Sequence, residues 1–464
     1  MKNIKIKKLF HKKNTVNAII LAALLLLTYL LISIYFSDHF FFNTEINGVN
    51  MSLKPYKAAE SMIRSYIKDY KLKLIERNGE SEEIVGQDIG MGYNENNSIY
   101  KICNMQNGFK WIESLLKSQK YYVDGLFTYN EDSLQDKINE LNCLNKDIVE
   151  PKNVGFKYTN GSYEIIKEVY GNKLDKDKLN KAIKVSILGG EGRLDLNERL
   201  CYENPRYTLN TEKTFETYNL LSKYASSKIT YVFEDKKELL DGYTINKWLS
   251  VNEDLEIIIN EIEIMKYIRS LSRKYDTVGI ARNFNTSTGK KVEVVGGLYG
   301  WKINTVSETK ALLNNIKLGE VIEKEPQYLQ KALPRGDNEI GNTYLEINIT
   351  RQHVWFYKDG KLITQGSVVT GNPNRGHSTV VGTYMLNYKQ KGATLTGPGY
   401  EAPVTYWMPF FGNIGIHDAT WRHSFGGQIY KRNGSHGCVN APLYLAKTIF
   451  ENIEDGTPII SYEE

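Results

Sequence analysis

Ile414-Gly415-Ile416-His417-Asp418-Ala419, Trp421-Arg422, Gly426-Gly427 and Gly434-Ser435-His436-Gly437-Cys438-Val439-Asn440-Ala441-Pro442 make up one stretch, and it determines what the C-terminal part of this chain can be. A thiol is a nucleophile only as a thiolate, and an adjacent imidazole is the usual means of generating one. Cys438 has two such neighbours in sequence, His436 and His417. Glycine on the N-terminal side of the cysteine permits close approach of a substrate backbone and lets peptide N–H groups converge on one point, which suits acyl chemistry. Five of the seven histidines lie beyond residue 350.

Upstream of this stretch the pattern is that of closely spaced strands. Thr343 to Thr350, Val354 to Tyr357, Leu362 to Val369 and Thr379 to Tyr388 are β-branched and aromatic runs separated by turn residues such as Lys358-Asp359-Gly360-Lys361. Such spacing implies a β-sandwich or barrel. Tyr400, Tyr406, Trp407, Met408 and Trp421 gather near the cysteine and are candidates for a substrate groove, as well as for ordinary packing. Arg422 is a candidate for a substrate carboxylate or for a structural ion pair.

Residues 38–334 repeat a theme of strand, tight turn, strand, glycine corner and helix. Copies are expected at Leu72 to Val85 around Asn78-Gly79, from Val154 around Asn160-Gly161, and at Val278 to Val295 followed by Gly296-Gly297, Tyr299-Gly300-Trp301 and a helix beginning near Asn304. No nucleophile neighbourhood or phosphate loop stands out there, so these modules read as scaffold. Pro334 and the polar stretch after it predict a linker over 335–341.

At the N-terminus, Asn17 to Phe36 contains no charged residue and is long enough to span ~30 Å of hydrocarbon as a helix. Six lysines precede it while Asp38 and Glu45 follow, which predicts a cytoplasmic N-terminus and an extracytoplasmic remainder. The formal charge of +5 comes largely from that lysine tail, so no nucleic-acid partner is expected. The four cysteines form no Cys-x-x-Cys clip, and no metal or cofactor is expected; Cys103 and Cys143 are open to pairing.

The uninterrupted series His417, Ser435, His436, Gly437, Cys438, Val439, Asn440 resembles the signature of the L,D-transpeptidases, and the resemblance covers the last ~120 residues, including Gln352 to Tyr357, Val369-Thr370-Gly371 and Thr379 to Gly382. Where the family commonly has Thr-Pro-x-Gly, this chain has Thr379-Val380-Val381-Gly382. The upstream repeats resemble the peptidoglycan-binding modules that accompany this domain, most clearly at Tyr299-Gly300-Trp301. The expected fold is therefore multidomain: a cytoplasmic basic tail (1–16), a transmembrane helix (17–37), α+β peptidoglycan-binding modules (38–149 and 150–334), a linker (335–341) and a mostly-β L,D-transpeptidase sandwich (342–464).

The resemblance further implies Cys438 as nucleophile and His417 as general base, with the Asp418 carbonyl orienting the imidazole. It gives Ser435, His436 and Gly437 a role in shaping the loop, with the N–H groups of Gly437 and Cys438 as oxyanion donors. Asn440, Arg422, Tyr400 and Trp407 are the candidate substrate contacts. Donor and acceptor would be peptidoglycan tetrapeptide stems, joined third residue to third residue with loss of D-Ala at the outer face of the cytoplasmic membrane, and carbapenems would acylate the same thiol. A carboxypeptidase using water as acceptor and a non-catalytic wall-binding protein are the alternatives. A sortase is disfavoured, because that family expects Thr-Leu-x-Thr-Cys.

Overall fold

The computed structural model describes residues 2–95, 98–333, 338–397 and 400–464, with side chains except those of 2–14 and Tyr400. The chain forms two compact units, residues 1–155 with 165–214, and residues 156–164 with 215–464.

In the first unit a single helix runs from Lys2 to Tyr35, so the basic tail is helical as well. Its segment Thr15–Tyr35 is long and apolar enough to cross a membrane. Behind it, the hairpin Lys71–Ile75 with Ser81–Val85 is joined in parallel by Arg193–Asp195. That third strand is delivered by helix Lys176–Gly189, which Asp175 caps through the Lys178 N–H and which Gly190 ends in the left-handed conformation. Leu72, Leu74, Ile84, Leu179, Ile183, Ile187 and Leu194 meet in one core, each burial contributing ~1.5–3 kcal/mol. Cys103 and Cys143, open to pairing on sequence grounds, are buried free thiols here.

The second unit repeats this plan. Hairpin Lys228–Phe233 with Lys236–Leu240 receives Val321–Lys324 in parallel, and helix Thr305–Leu318 delivers that strand between an Asn304 cap and a left-handed Gly319. The agreement extends to the middle of each copy, where Asn130 caps Glu131–Asn139 and Asn260 caps Glu261–Tyr275. The repeat is thus twofold, not the three copies expected. The hairpins at Gly155–Ile166 and Arg282–Val294 are equivalent inner hairpins of two modules, and the hairpin at 228–240 carries no Asn-Gly turn to announce it.

The inner hairpin of this second module packs on the C-terminal domain. Phe284 and Val294 join Ile340, Ile460 and Tyr462 in one cluster. Gly297 pairs with Thr383, and a Cβ on Gly297 would lie 2.0 Å from the Thr383 carbonyl oxygen, so only glycine fits. Of the predicted linker, 335–337 lie outside the described residues. Its described end is not a free connector: Glu339 and Ile340 are buried, and Glu339 pairs with buried Arg282 at 2.8 Å. A polar segment is packed here because a partner 57 residues away neutralises its charge.

The C-terminal domain is built from two sheets. The five-stranded one contains β1 (Tyr344–Asn348), β2 (His353–Lys358), β3 (Lys361–Ser367), β4 (Gly382–Met385) and β9 (Pro458–Tyr462), in the order β3-β2-β1-β9-β4. The four-stranded one runs in sequence through β5 (Gln390–Gly397), β6 (Tyr400–Phe411), β7 (Ile414–Asp418) and β8 (Val439–Ala441). Leu345, Ile347, Val354, Phe356, Met408, Ile416 and Val439 fill the core together with Leu445, Ala446 and Ile449 of helix Leu443–Asn452. This helix packs against β6 and β7 and so supports the strands that carry the histidine.

Candidate active site

β7 and β8 are parallel, with His417 in register with Asn440. Cys438 immediately precedes β8, two residues or ~6.6 Å of strand before that register position. Strand pairing therefore sets on neighbouring strands a thiol and an imidazole separated by 21 residues in sequence.

The imidazole is buried and fixed. Nδ1 of His417 lies 2.9 Å from the Asp418 carbonyl oxygen, so Nδ1 carries the proton and Nε2 is the unprotonated, accepting nitrogen. With the Asn440 amide turned to satisfy both neighbours, its nitrogen donates to Nε2 at 3.1 Å and its oxygen accepts from Arg422 Nε at 2.7 Å. Burial holds the His417 pKa below the usual imidazole value, with a further push from the Arg422 charge; the Asp418 contacts act in the opposite sense. The Asp418 carboxylate serves β6 instead, accepting the Thr405 and Tyr406 N–H groups at 2.8 and 2.7 Å.

Cys438 is partly exposed, and its thiol donates to the Asn413 carbonyl at 3.4 Å. Packing around the sulfur pushes the thiol up to about 11, so thiol and imidazole rest as a neutral pair.

The loop before the cysteine is locked from both sides. Ser435 donates to the Cys438 carbonyl and accepts the Gly437 N–H at 3.1 Å. This Ser-turn engages the Gly437 N–H inside the loop. Gly437 itself sits at φ +122°, a conformation that needs glycine. Thr379 clamps the loop by donating to the Gly437 carbonyl at 2.7 Å and accepting the Gly371 N–H at 2.9 Å. Sequence reasoning gave Thr379, Gly371 and Asn413 no role, because a threonine clamp and a carbonyl acceptor in loops leave no periodic signal.

His436 is exposed, its ring 4.8 Å from that of His377. Trp407 is buried opposite His417 on β6, and the exposed Trp421 stands on the histidine too, each ring 5.9 Å from the imidazole. Tyr406 and Met408, one residue either side of Trp407, point into the core, as strand alternation requires. Of the residues expected at the substrate, Asn440 is buried on His417, and half-buried Arg422 donates from Nη1 to the Asn433 carbonyl at 2.7 Å. The side chain of Tyr400 lies outside the described residues.

A β-sandwich presenting a partly exposed thiol on the strand beside a carbonyl-held imidazole defines a class of thiol–imidazole sites. A family model of the L,D-transpeptidase catalytic domain (YkuD) matches residues 342–460, and one of a peptidoglycan-binding domain matches residues 83–195 and 207–322. The crystal structure of an Enterococcus faecium L,D-transpeptidase cysteine-to-serine mutant is similar at 33% identity, covering 53% of this chain and 100% of that one, with a TM-score of 0.42. The Ldtfm–avibactam carbamoyl enzyme matches at 32% identity over 54% of this chain and 99% of that one, TM-score 0.43. The E. faecium catalytic domain acylated by ertapenem matches at 40% identity over 26% of this chain and 97% of that one, TM-score 0.25. No curated protein matches the chain. On the catalytic-domain match and the identity over the full length of the E. faecium enzyme, this chain belongs to the L,D-transpeptidase family. It is an L,D-transpeptidase enzyme with upstream peptidoglycan-binding domains, an equipment that fits action outside the cytoplasm.

Proposed function

We propose that this chain is a membrane-anchored L,D-transpeptidase that links peptidoglycan stems from third residue to third residue. The observation that supports this reading best is the His417–Asp418 contact, which keeps Nε2 unprotonated on the strand beside Cys438, where it accepts from the Asn440 amide at rest. The donor is a tetrapeptide stem. Its carbonyl at the third, L-centred residue is attacked by the Cys438 sulfur as Nε2, released from the Asn440 amide, takes the thiol proton. The tetrahedral oxyanion is met by the Cys438 N–H, the C–N bond to D-Ala breaks, and the imidazolium returns the proton to the departing amine. The side-chain amine of a second stem's third residue then attacks the thioester and gives up a proton to His417; the C–S bond breaks, and the imidazolium passes that proton to the departing sulfur. Exchange of one amide for another needs no nucleotide. Trp407 and Trp421 flank the imidazole, and the exposed Trp421 ring forms the wall against which the donor stem lies. The Thr15–Tyr35 helix is the anchor, with the remaining chain on the outer face.

Mass spectrometry of the wild-type protein and of Cys438→Ala after incubation with disaccharide-tetrapeptide tests this reading. A cross-linked dimer lacking one D-Ala, made only by the wild type, is expected. A tripeptide without dimer would replace transpeptidation by hydrolysis, and no product from competent substrate would refute the catalytic reading.

A further inference from the structure

The first module carries an insertion that the second lacks. From the end of the outer hairpin to the asparagine cap there are 45 residues in the first copy, Val85 to Asn130, but 20 in the second, Leu240 to Asn260. The extra residues include 105–117, which fold back against the N-terminal helix. Gly108 lies so close to it that a Cβ would stand 2.4 Å from the Ser33 carbonyl oxygen. The Tyr29 hydroxyl donates to the Phe109 carbonyl, and the Tyr29 ring packs at 6.4 Å from Phe109 and 6.1 Å from Trp111. Gln106 ties the same segment to the residues just after the helix through the Phe41 N–H at 3.0 Å and the His39 carbonyl at 3.3 Å.

The outward side of this segment exposes five large apolar side chains among the polar Asn107, Lys110, Glu113 and Lys117. Met105 and Leu116 are 82% and 88% exposed, with Phe109, Ile112 and Leu115 about half exposed between them. Isolated exposed apolar residues are ordinary, but five within one short insertion make a patch that calls for a covering. Depth along the helix identifies the covering. Tyr29 lies seven residues, ~10 Å of helical rise, before Phe36. Were residues 105–117 held in water beside Tyr29, only Val16 to Thr28 would remain for the hydrocarbon, ~20 Å where ~30 Å is needed. The insertion must then sit at the level of the headgroups and upper acyl chains. Its composition suits that level: Tyr29 and Trp111 form an interfacial aromatic pair, and Lys110 and Lys117 border the patch as anionic headgroups would require.

We infer that the 105–117 insertion is a second, interfacial membrane contact that dips Met105, Phe109, Ile112, Leu115 and Leu116 into the outer leaflet beside the spanning helix. This rests on the membrane-anchor reading proposed above. It fixes the first module against the bilayer, where a single span alone would leave it free to pivot.

The test uses the full chain in a Cys438→Ala background, in which the three remaining cysteines are buried, reconstituted in phosphatidylcholine–phosphatidylglycerol vesicles. Single cysteines at Leu24→Cys, Leu116→Cys and Leu200→Cys carry an environment-sensitive fluorophore, and lipids with a nitroxide at shallow or deep positions act as quenchers. The shallow quencher is expected to lower emission at 116 about twofold or more and the deep one at 24, with 200 unaffected. Quenching at 24 without quenching at 116 would overturn the interfacial contact while leaving the span intact. Loss of quenching at both 24 and 116 would remove the anchor reading and the contact with it. Equal quenching at 116 and 200 would mean unspecific adsorption and overturn the contact too.

Discussion

His417 Nδ1 is held at 2.9 Å by the carbonyl oxygen of Asp418, the next residue in the same strand, while the Asp418 carboxylate turns away to the backbone of β6. One residue thus performs two separate tasks, and they can be separated by mutation. Asp418→Asn keeps the carbonyl and one side-chain oxygen, and should retain activity within about threefold. Asp418→Ala strands the buried Tyr406 N–H and the half-buried Thr405 N–H and should cost about 1–3 kcal/mol in denaturant unfolding, well beyond any effect on base chemistry. A loss in Asp418→Asn of several hundredfold would mean that the carboxylate acts on the imidazole after all.

Asn440 joins His417 to Arg422, so its removal should loosen the imidazole without removing it. Asn440→Ala is expected to lower kcat by about 10–100-fold with little change in KM, since misplaced catalytic groups cost rate more than binding. A purely substrate-binding Asn440 would instead raise KM at constant kcat.

The neutral resting pair has a pH signature. Burial lowers the His417 pKa and raises that of Cys438 to about 11, so the base remains unprotonated below the usual imidazole range and the free thiol remains protonated well above neutrality. Iodoacetamide labelling of Cys438, followed by intact mass, should therefore rise steadily with pH through about 8 to 10, with no plateau near neutrality. The acid limb of kcat/KM should fall below the ordinary pKa of histidine, about 6.5. A labelling plateau already reached near pH 6 would reveal a thiolate–imidazolium pair and contradict this account.

Thr379 clamps the Gly437 carbonyl and the Gly371 N–H. Thr379→Val, close in shape, leaves both groups without a partner and should destabilise the domain by about 1–3 kcal/mol, with activity falling in parallel. Thr379→Ser should restore most of both. Urea denaturation beside dimer formation would show whether the two losses travel together.

A carbapenem offers a strained carbonyl to the same sulfur. Intact mass spectrometry should show one adduct on the wild type, opened at the ring, and none on Cys438→Ala. An adduct persisting in that variant would place the reactive nucleophile elsewhere.

Sequence alone was enough for the apolar run 17–36, the strand-rich C-terminal domain and the Ser435-His436-Gly437-Cys438 series, because each is a local pattern of side chains at fixed spacing. Contacts between distant residues were not legible. The twofold repeat was obscured because the hairpin at 228–240 has no Asn-Gly turn and because the first module holds an insertion, so inner and outer hairpins were counted as equals. Glu339 looked like linker because its neutralising partner, Arg282, lies 57 residues back. In the same way only the register of β7 against β8 could place Asn440 on His417, and only the packing of the loop could spend the Gly437 N–H on Ser435. Which residues can do chemistry follows from their side chains; which are free to do it depends on the hydrogen bonds that burial forces them to satisfy, and those are decided by tertiary structure.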